Sequence, residues 1–288
     1  MASSSTPGPH ARDAPMRKLA VYRALVVLLA GFLLAMLVRT RKPDAPKGIE
    51  VIDVAAQVAD ARRTRRNFAD TVNWFYVSET GTAHLHVLTV HQTCPLHIHR
   101  NSYEATLILS GGAEVTHVFG DGGELMQTTT HLGPGSVVAT PPLCGHAWKN
   151  AEPDDMQANL VFESPRFDGN LYVASTDPIM KPGARPSLHD LPRELAAFVT
   201  SGETLREVDL PLPGRVLTEV FVRGETSLPV VSGRTLLVYV VAGGGTLEDE
   251  SDPSSHVPLR AQSIAIAHDG RPVTVRTSEP TALLVFRP

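Results

Sequence analysis

The sequence predicts an all-β protein: two tandem β units behind one N-terminal membrane-spanning helix. Three observations predict this. From Val72 onward, short apolar runs with a period of two are separated by Gly-Gly, Asp-Gly-Gly, Gly-Pro-Gly and Pro-Pro, and strands at such spacing argue a sandwich or barrel. The run pattern recurs beyond a Pro-, Ser- and Asp-rich stretch at 175–190. Ahead of both, Leu19 to Val38 is twenty residues long and carries a single charge, Arg23. Composition agrees: 42% hydrophobic and 19% charged residues suit a globular chain, while 22 glycines and 23 prolines favour turns and short strands over long helices.

Residues 1–18 form a basic tail of the cytoplasmic type. At about 1.5 Å per residue, 19–38 spans roughly 30 Å, the hydrocarbon thickness of a bilayer. Arg23 lies near enough to one end to snorkel. A cleaved signal peptide is the rival reading, but no A-x-A site precedes the run Arg39-Thr40-Arg41-Lys42, and no Cys follows to accept a lipid. The expected location is therefore the membrane, through a single-pass anchor. Basic residues flank both ends, so the positive-inside bias is slight; long domains translocate regardless of charge, which leans toward an extracytoplasmic soluble part. Residues 1–47 hold eight Lys/Arg against Asp13 and Asp44, so the strongly acidic remainder excludes binding to a phosphate backbone.

Residues 39–71 are read as a linker and a short helix. Apolar residues of Ile49 to Phe68 recur at helical spacing, with Arg62, Arg63, Arg65 and Arg66 at the C-terminal end. Strands are expected at 74–77, 84–90, 103–109, 113–119, 125–131, 137–139, 159–162 and 171–174, forming a first unit over 72–175. Residues 176–204 are a linker with a short helix over 191–199. A second unit, 205–288, has strands at 216–222, 236–241, 263–267, 273–276 and 283–286.

Two stretches carry the chemistry. In CPLHIHRNSYEATLILSGG, residues 94–112, His97 and His99 are two apart and share one face of an extended strand. Arg100 to Ser102 turn the chain, Glu104 returns on the next strand, and Gly111-Gly112 ends it. In GPGSVVATPPLCGHAWKN, residues 133–150, Gly135, Pro141, His146 and Asn150 recur in a second hairpin that supplies a third imidazole. Three imidazoles and a carboxylate suit Fe(II), Mn(II), Ni(II), Cu(II) or Zn(II) without choosing among them.

These two stretches resemble the paired motifs of the cupin superfamily. The first fits at every defining position. In the second, Leu143 stands where the family often has glycine, and Gly145 is expected to serve that turn. The resemblance covers about residues 74–175 and implies a jelly-roll barrel holding one divalent metal ion on His97, His99, Glu104 and His146, Fe(II) foremost. It also implies a homodimer, since barrels of this family often pair. Aligning Gly243 with Gly111 and Ser263 with Ser136 places Pro229, Val231, Leu236 and Val273 at the four ligand positions of the second unit. The chain therefore resembles a bicupin: a metal-binding N-terminal cupin barrel and a degenerate C-terminal one.

Around the motifs, Cys94 and Cys144 are read as inert buried thiols, as a disulfide if the segments converge, or as a reactive or substrate-sensing thiol. Arg100, Tyr103 and Trp148 are candidate catalytic or pocket residues: a carboxylate clamp, an acid/base group and an apolar wall. His84 and His86 share a strand face and can enter the barrel. No P-loop, dinucleotide fingerprint or G-x-S-x-G elbow occurs. The first expectation is an Fe(II) oxygenase of the dioxygenase type acting on a small organic molecule. Two alternatives stay open: a redox-neutral metal-dependent lyase, decarboxylase or isomerase, and a non-catalytic ligand-binding module.

Overall fold

A computed structural model describes residues 48–64, 73–212, 216–230 and 233–288. The basic tail and the apolar segment 19–38 lie outside these. Among the described residues no helix is long and apolar enough to cross a membrane.

The described residues open with strand β1 (Ile49–Asp53) and helix α1 (Val54–Thr64). The first five residues of the expected helix thus form a strand, because they pair antiparallel with a strand of the second unit, Ile49 opposite Ala267 and Asp53 opposite Ser263. The helix begins where Asp53 accepts the Ala56 N–H at 2.8 Å. Next come β2 (Asn73–Val77), β3 (Thr82–Leu88), β4 (Thr93–Ile98), β5 (Tyr103–Ser110), β6 (Ala113–Asp121), β7 (Glu124–Leu132), β8 (Ser136–Thr140), β9 (Gly145–Asn150), β10 (Gln157–Ser164) and β11 (Leu171–Tyr172). Gly122 and Gly123, at φ +59° and +89°, make the two-residue turn between β6 and β7 that requires left-handed backbone.

The stretch read as a linker holds a short strand, β12 (Ser187–Asp190), and helix α2 (Leu191–Ser201). Asp190 caps α2 through the Arg193 N–H, Pro192 stands in its first turn, and Gly202 ends it at φ +74°. The second unit comprises β13 (Leu205–Asp209), β14 (Leu217–Leu228), β15 (Leu236–Ala242), β16 (Gly244–Asp249), β17 (Asp252–Arg260), β18 (Ser263–Ala267) and β19 (Val273–Phe286).

Two sheets build the first unit: β12-β8-β5-β10-β3-β2 and β11-β4-β9-β6-β7. They face each other as a jelly roll around a small apolar core that includes Leu88, Ile108, Val115 and Trp148. The second unit is one sheet of seven strands, completed to eight by β1, in which β14 and β19 pair from Leu217–Phe286 to Leu228–Val273 with a bulge between Val222 and Gly224.

The units exchange arms. β1 leads into α1 and pairs with β18 of the second unit; β12 leads into α2 and pairs with β8 of the first, Asp190 opposite Ser136. Both helices have eleven residues, and their first N–H groups meet equivalent carbonyls: Val54 to Gln262 at 3.1 Å and Leu191 to Gly135 at 3.2 Å. Between the two large sheets lies one core shared by both units, with Leu85, Leu107 and Phe162 on one side and Phe221, Leu284 and Phe286 on the other. Alternation along β5 shows the division of labour: Ala105, Leu107 and Leu109 face this shared core, while Glu104 and Thr106 line the barrel cavity.

Because that core belongs to both units, they are expected to unfold together. Phe198 of α2 is fully buried with its ring centroid 6.0 Å from that of Phe221. Phe198→Ala should cost about 3–5 kcal/mol and leave a single denaturant transition, followed by circular dichroism and by tryptophan fluorescence. Two separated transitions would contradict the shared core.

Candidate metal centre

His97 is the penultimate residue of β4, His99 follows just beyond the strand, Glu104 projects from β5 and His146 from β9. The pairing of β4 with β9 sets His97 directly opposite His146, and Glu104 comes from the facing sheet. One ligand atom from each of the four lies within 4.8 Å of the others, and all four side chains are buried. The structure therefore brings together the four residues singled out in the sequence.

Backbone carbonyls orient the imidazoles. Nδ1 of His97 donates to Pro95 O at 2.8 Å, that of His99 to Gly169 O at 3.1 Å, and that of His146 to Cys144 O at 3.3 Å. Each ring thus turns Nε2 toward the centre of the cluster. Thr106 Oγ1 donates to Glu104 Oε1 at 2.7 Å, while Oε2 stands 3.1 Å from His99 Nε2 and 3.4 Å from His146 Nε2. His146 Nε2 is buried and makes no hydrogen bond. Nδ1 atoms bonded to carbonyls, with the Nε2 atoms converging on a carboxylate, are what a divalent metal of the first transition row requires. The residues fit such an ion.

Burial opposes charge on both partners of the Glu104–His99 pair, yet the pair overcomes it. Glu104 lies well below the usual carboxylate range because His146 and His99 hold its anion, and the hydrogen bond and charge of Glu104 lift His99 to about 9. Burial, reinforced by His146, lowers His97 to about 3. His117, opposite His146 on β6, is fully buried; its Nε2 contacts Thr140 Oγ1 at 3.4 Å, and burial lowers it to about 3. It supports the cluster from behind and was not singled out in the sequence.

The cluster opens onto a cavity of about 170 Å³. Trp148 lines it, as do His84 and His86. Two candidates fall elsewhere. Tyr103, next to Glu104 on β5, faces the opposite side of the sheet and packs against the shared core; Arg100 sits exposed on the turn and is absent from the cavity lining. Sequence reading missed the rim: Trp74, Phe167 and Tyr172. The Phe167 ring packs edge-on against His99 at 5.4 Å, and Tyr172 lies 6.0 Å from His97. Asp168 fastens the loop that carries Phe167, accepting from the Asn101 N–H at 2.8 Å and side-chain amide at 3.1 Å.

Both cysteines are free. Cys94 is paired with Trp148, four residues along β9 from Cys144, which separates them by about 13 Å at roughly 3.3 Å per residue. Burial pushes both thiols up to about 12. At the departure from the second motif, Leu143 itself takes the left-handed conformation, φ +62°. Gly145 answers a different need: a Cβ there would lie 2.3 Å from Met180 Sδ.

In the second unit the register moves two counterparts by one residue. Leu228 stands opposite Val273 as His97 stands opposite His146, so Leu228 and Val230 replace Pro229 and Val231; Leu236 and Val273 stand as aligned. All four belong to, or pack against, one apolar cluster.

A first unit of this kind, a jelly roll with three imidazoles and a carboxylate converging inside it, defines a cupin-type barrel. Residues 84–162 match the family model described as Cupin domain. No curated protein matches the chain. Among solved structures it is similar to a salicylate 1,2-dioxygenase from Pseudaminobacter salicylatoxidans, 15% identical over 86% of each chain with a TM-score of 0.57. A variant of that enzyme in complex with gentisate is 16% identical, covering 99% of this chain and 94% of its own, with a TM-score of 0.57. A Cupin 2 conserved barrel domain protein from Leptotrichia buccalis is 12% identical, covering 85% and 99%, with a TM-score of 0.56. These likenesses establish the fold.

The His99–Glu104 pair gives metal binding a pH dependence. With His99 at about 9, binding at neutral pH must expel its proton. Affinity, measured by competition with a chelator, should rise about tenfold per pH unit from pH 6 to 8 and flatten above about 9. A flat profile between pH 6 and 8 would contradict the assignment.

Proposed function

We propose that this protein is a metal-dependent oxygenase of the dioxygenase type, with Fe(II) on His97, His99, Glu104 and His146, acting on a small planar organic molecule. The observation that carries the reading is the convergence of four ligand-type atoms at the floor of a cavity rimmed by aromatic rings. At about 170 Å³ the cavity is close to the roughly 150 Å³ that accommodates benzene in another protein. Similarity to a salicylate dioxygenase, and to a variant of it that binds gentisate, supports an aromatic hydroxy acid as the substrate class.

The bound ion would supply Lewis acidity and, as iron, access to O₂. The protein's own part is positioning and exclusion of water. Trp148 closes the back of the cavity, and Trp74, Phe167 and Tyr172 stand at its mouth to grip a ring by its faces. Glu104 supplies the single negative charge beside the ion, and the three carbonyl bonds hold the imidazole rings aimed with Nε2 inward.

For the whole chain we propose a basic tail (1–18), a membrane anchor (19–38), a metal-binding barrel (72–175) and a scaffold barrel (205–288), joined by the arm-bearing segments 39–71 and 176–204. The soluble part is placed outside the cytoplasm, and two chains are proposed to pair as a homodimer.

The full chain, purified in detergent without a metal-chelating tag, should contain about one iron per molecule and consume O₂ with aromatic hydroxy acids. His99→Ala and His146→Ala should each lower metal affinity by at least about a hundredfold, read by metal analysis after dialysis, whereas Val273→Ala should keep full occupancy. Stoichiometric zinc or manganese, with turnover indifferent to O₂, would favour the redox-neutral alternative.

A further inference from the structure

The cavity has a second polar wall that the metal cluster does not use. It lies on the inner face of the six-stranded sheet, where His84 and His86 project from β3 and Asn159 and Glu163 from β10. Glu163 is fully buried. Its Oε2 accepts from Thr82 Oγ1, and its Oε1 has no partner among the described residues. His84 is 7% exposed, packs its ring 4.6 Å from that of Trp74, and likewise leaves Nδ1 without a partner. Buried polar atoms are normally satisfied, yet here two unsatisfied ones belong to residues that line the same cavity.

We infer that this wall is a subsite for an uncharged hydroxyl of the substrate, carried on a part of the molecule that does not itself bind the metal. A hydroxyl both donates and accepts, so one group serves Glu163 Oε1 and His84 Nδ1 whichever of them carries the hydrogen. A second carboxylate only accepts. It would also meet two acids, since Glu163 stands directly opposite Glu104 in the pairing of β10 with β5, and neighbouring like charges repel. An ammonium group fits no better. An ammonium only donates, so it serves the wall only when neither Glu163 Oε1 nor His84 Nδ1 carries a hydrogen.

The inference rests on the reading of the cluster as the anchor for the rest of an aromatic hydroxy acid, and the probes separate the two. Salicylate and gentisate differ by one ring hydroxyl. They are titrated into the full-length, Zn(II)-loaded protein in detergent, with binding read from tryptophan fluorescence. Gentisate should bind at least about tenfold more tightly, a difference of about 1.4 kcal/mol. His84→Phe and Glu163→Met should each bring the two affinities within about twofold by weakening gentisate alone, while the isosteric Glu163→Gln, which keeps a hydrogen-bonding atom at the same place, should preserve most of the preference. Equal affinities in the parent protein, or an undiminished preference in both His84→Phe and Glu163→Met, would overturn the hydroxyl subsite and leave the anchor reading intact. Binding of neither probe to the parent protein would overturn the anchor reading and the subsite together.

Discussion

Three hydrogen bonds from imidazole Nδ1 atoms to backbone carbonyls set the direction of everything else in the barrel. The carbonyls of Pro95, Gly169 and Cys144 belong to three separate segments, so the cluster registers whether β4, β9 and the loop after β10 are all in place. With those bonds made, the only productive direction for each Nε2 is inward, and Glu104 is the anion waiting there. A buried carboxylate beside three buried imidazoles would be costly without compensation. The His99–Glu104 pair compensates with a proton, and a divalent ion would replace that proton with a stronger charge.

The second unit answers a different demand. Leu228, Val230, Leu236 and Val273 fill the place of the ligands with apolar surface, and its continuous strands β14 and β19 replace the broken strands that the first unit needs to turn its histidines inward. What the second unit gives the first is a wall: the shared core that backs the six-stranded sheet, and the β12–α2 arm that extends it. Each arm pairs with the other unit, so neither sheet is completed by its own half of the chain. Removing 205–288 would expose the apolar backs of β3, β5 and β10 directly behind the cavity.

Much of the metal cluster was legible because its residues lie at short, fixed spacings on two hairpins: His97 and His99 on one strand face, Glu104 one turn away, His146 on a strand paired by register. The polar inner face of β3 was legible from the alternation of His84 and His86. The rest depended on partners distant in sequence. Ile49 to Asp53 carries apolar residues that suit either a helix or a strand, and only pairing with β18 decides. Tyr103 and Glu104 are neighbours with opposite fates, since one residue along a strand exchanges core for cavity. Phe167 and Tyr172 follow the barrel's last long strand in loop and short-strand segments whose course over the mouth no periodicity reports. Leu143 shows that a turn can keep its left-handed backbone after losing the glycine that usually marks it.

X-ray absorption at the bound metal tests the central claim most directly. Full-length protein loaded with one equivalent of Fe(II) or Zn(II) should show about three imidazole nitrogens and protein oxygen at roughly 2.0–2.2 Å. Loss of one imidazole in His146→Ala would complete the assignment. A sulfur scatterer at about 2.3 Å would place Cys94 in the coordination sphere, and a shell of oxygens alone would place the ion elsewhere; either result would contradict it.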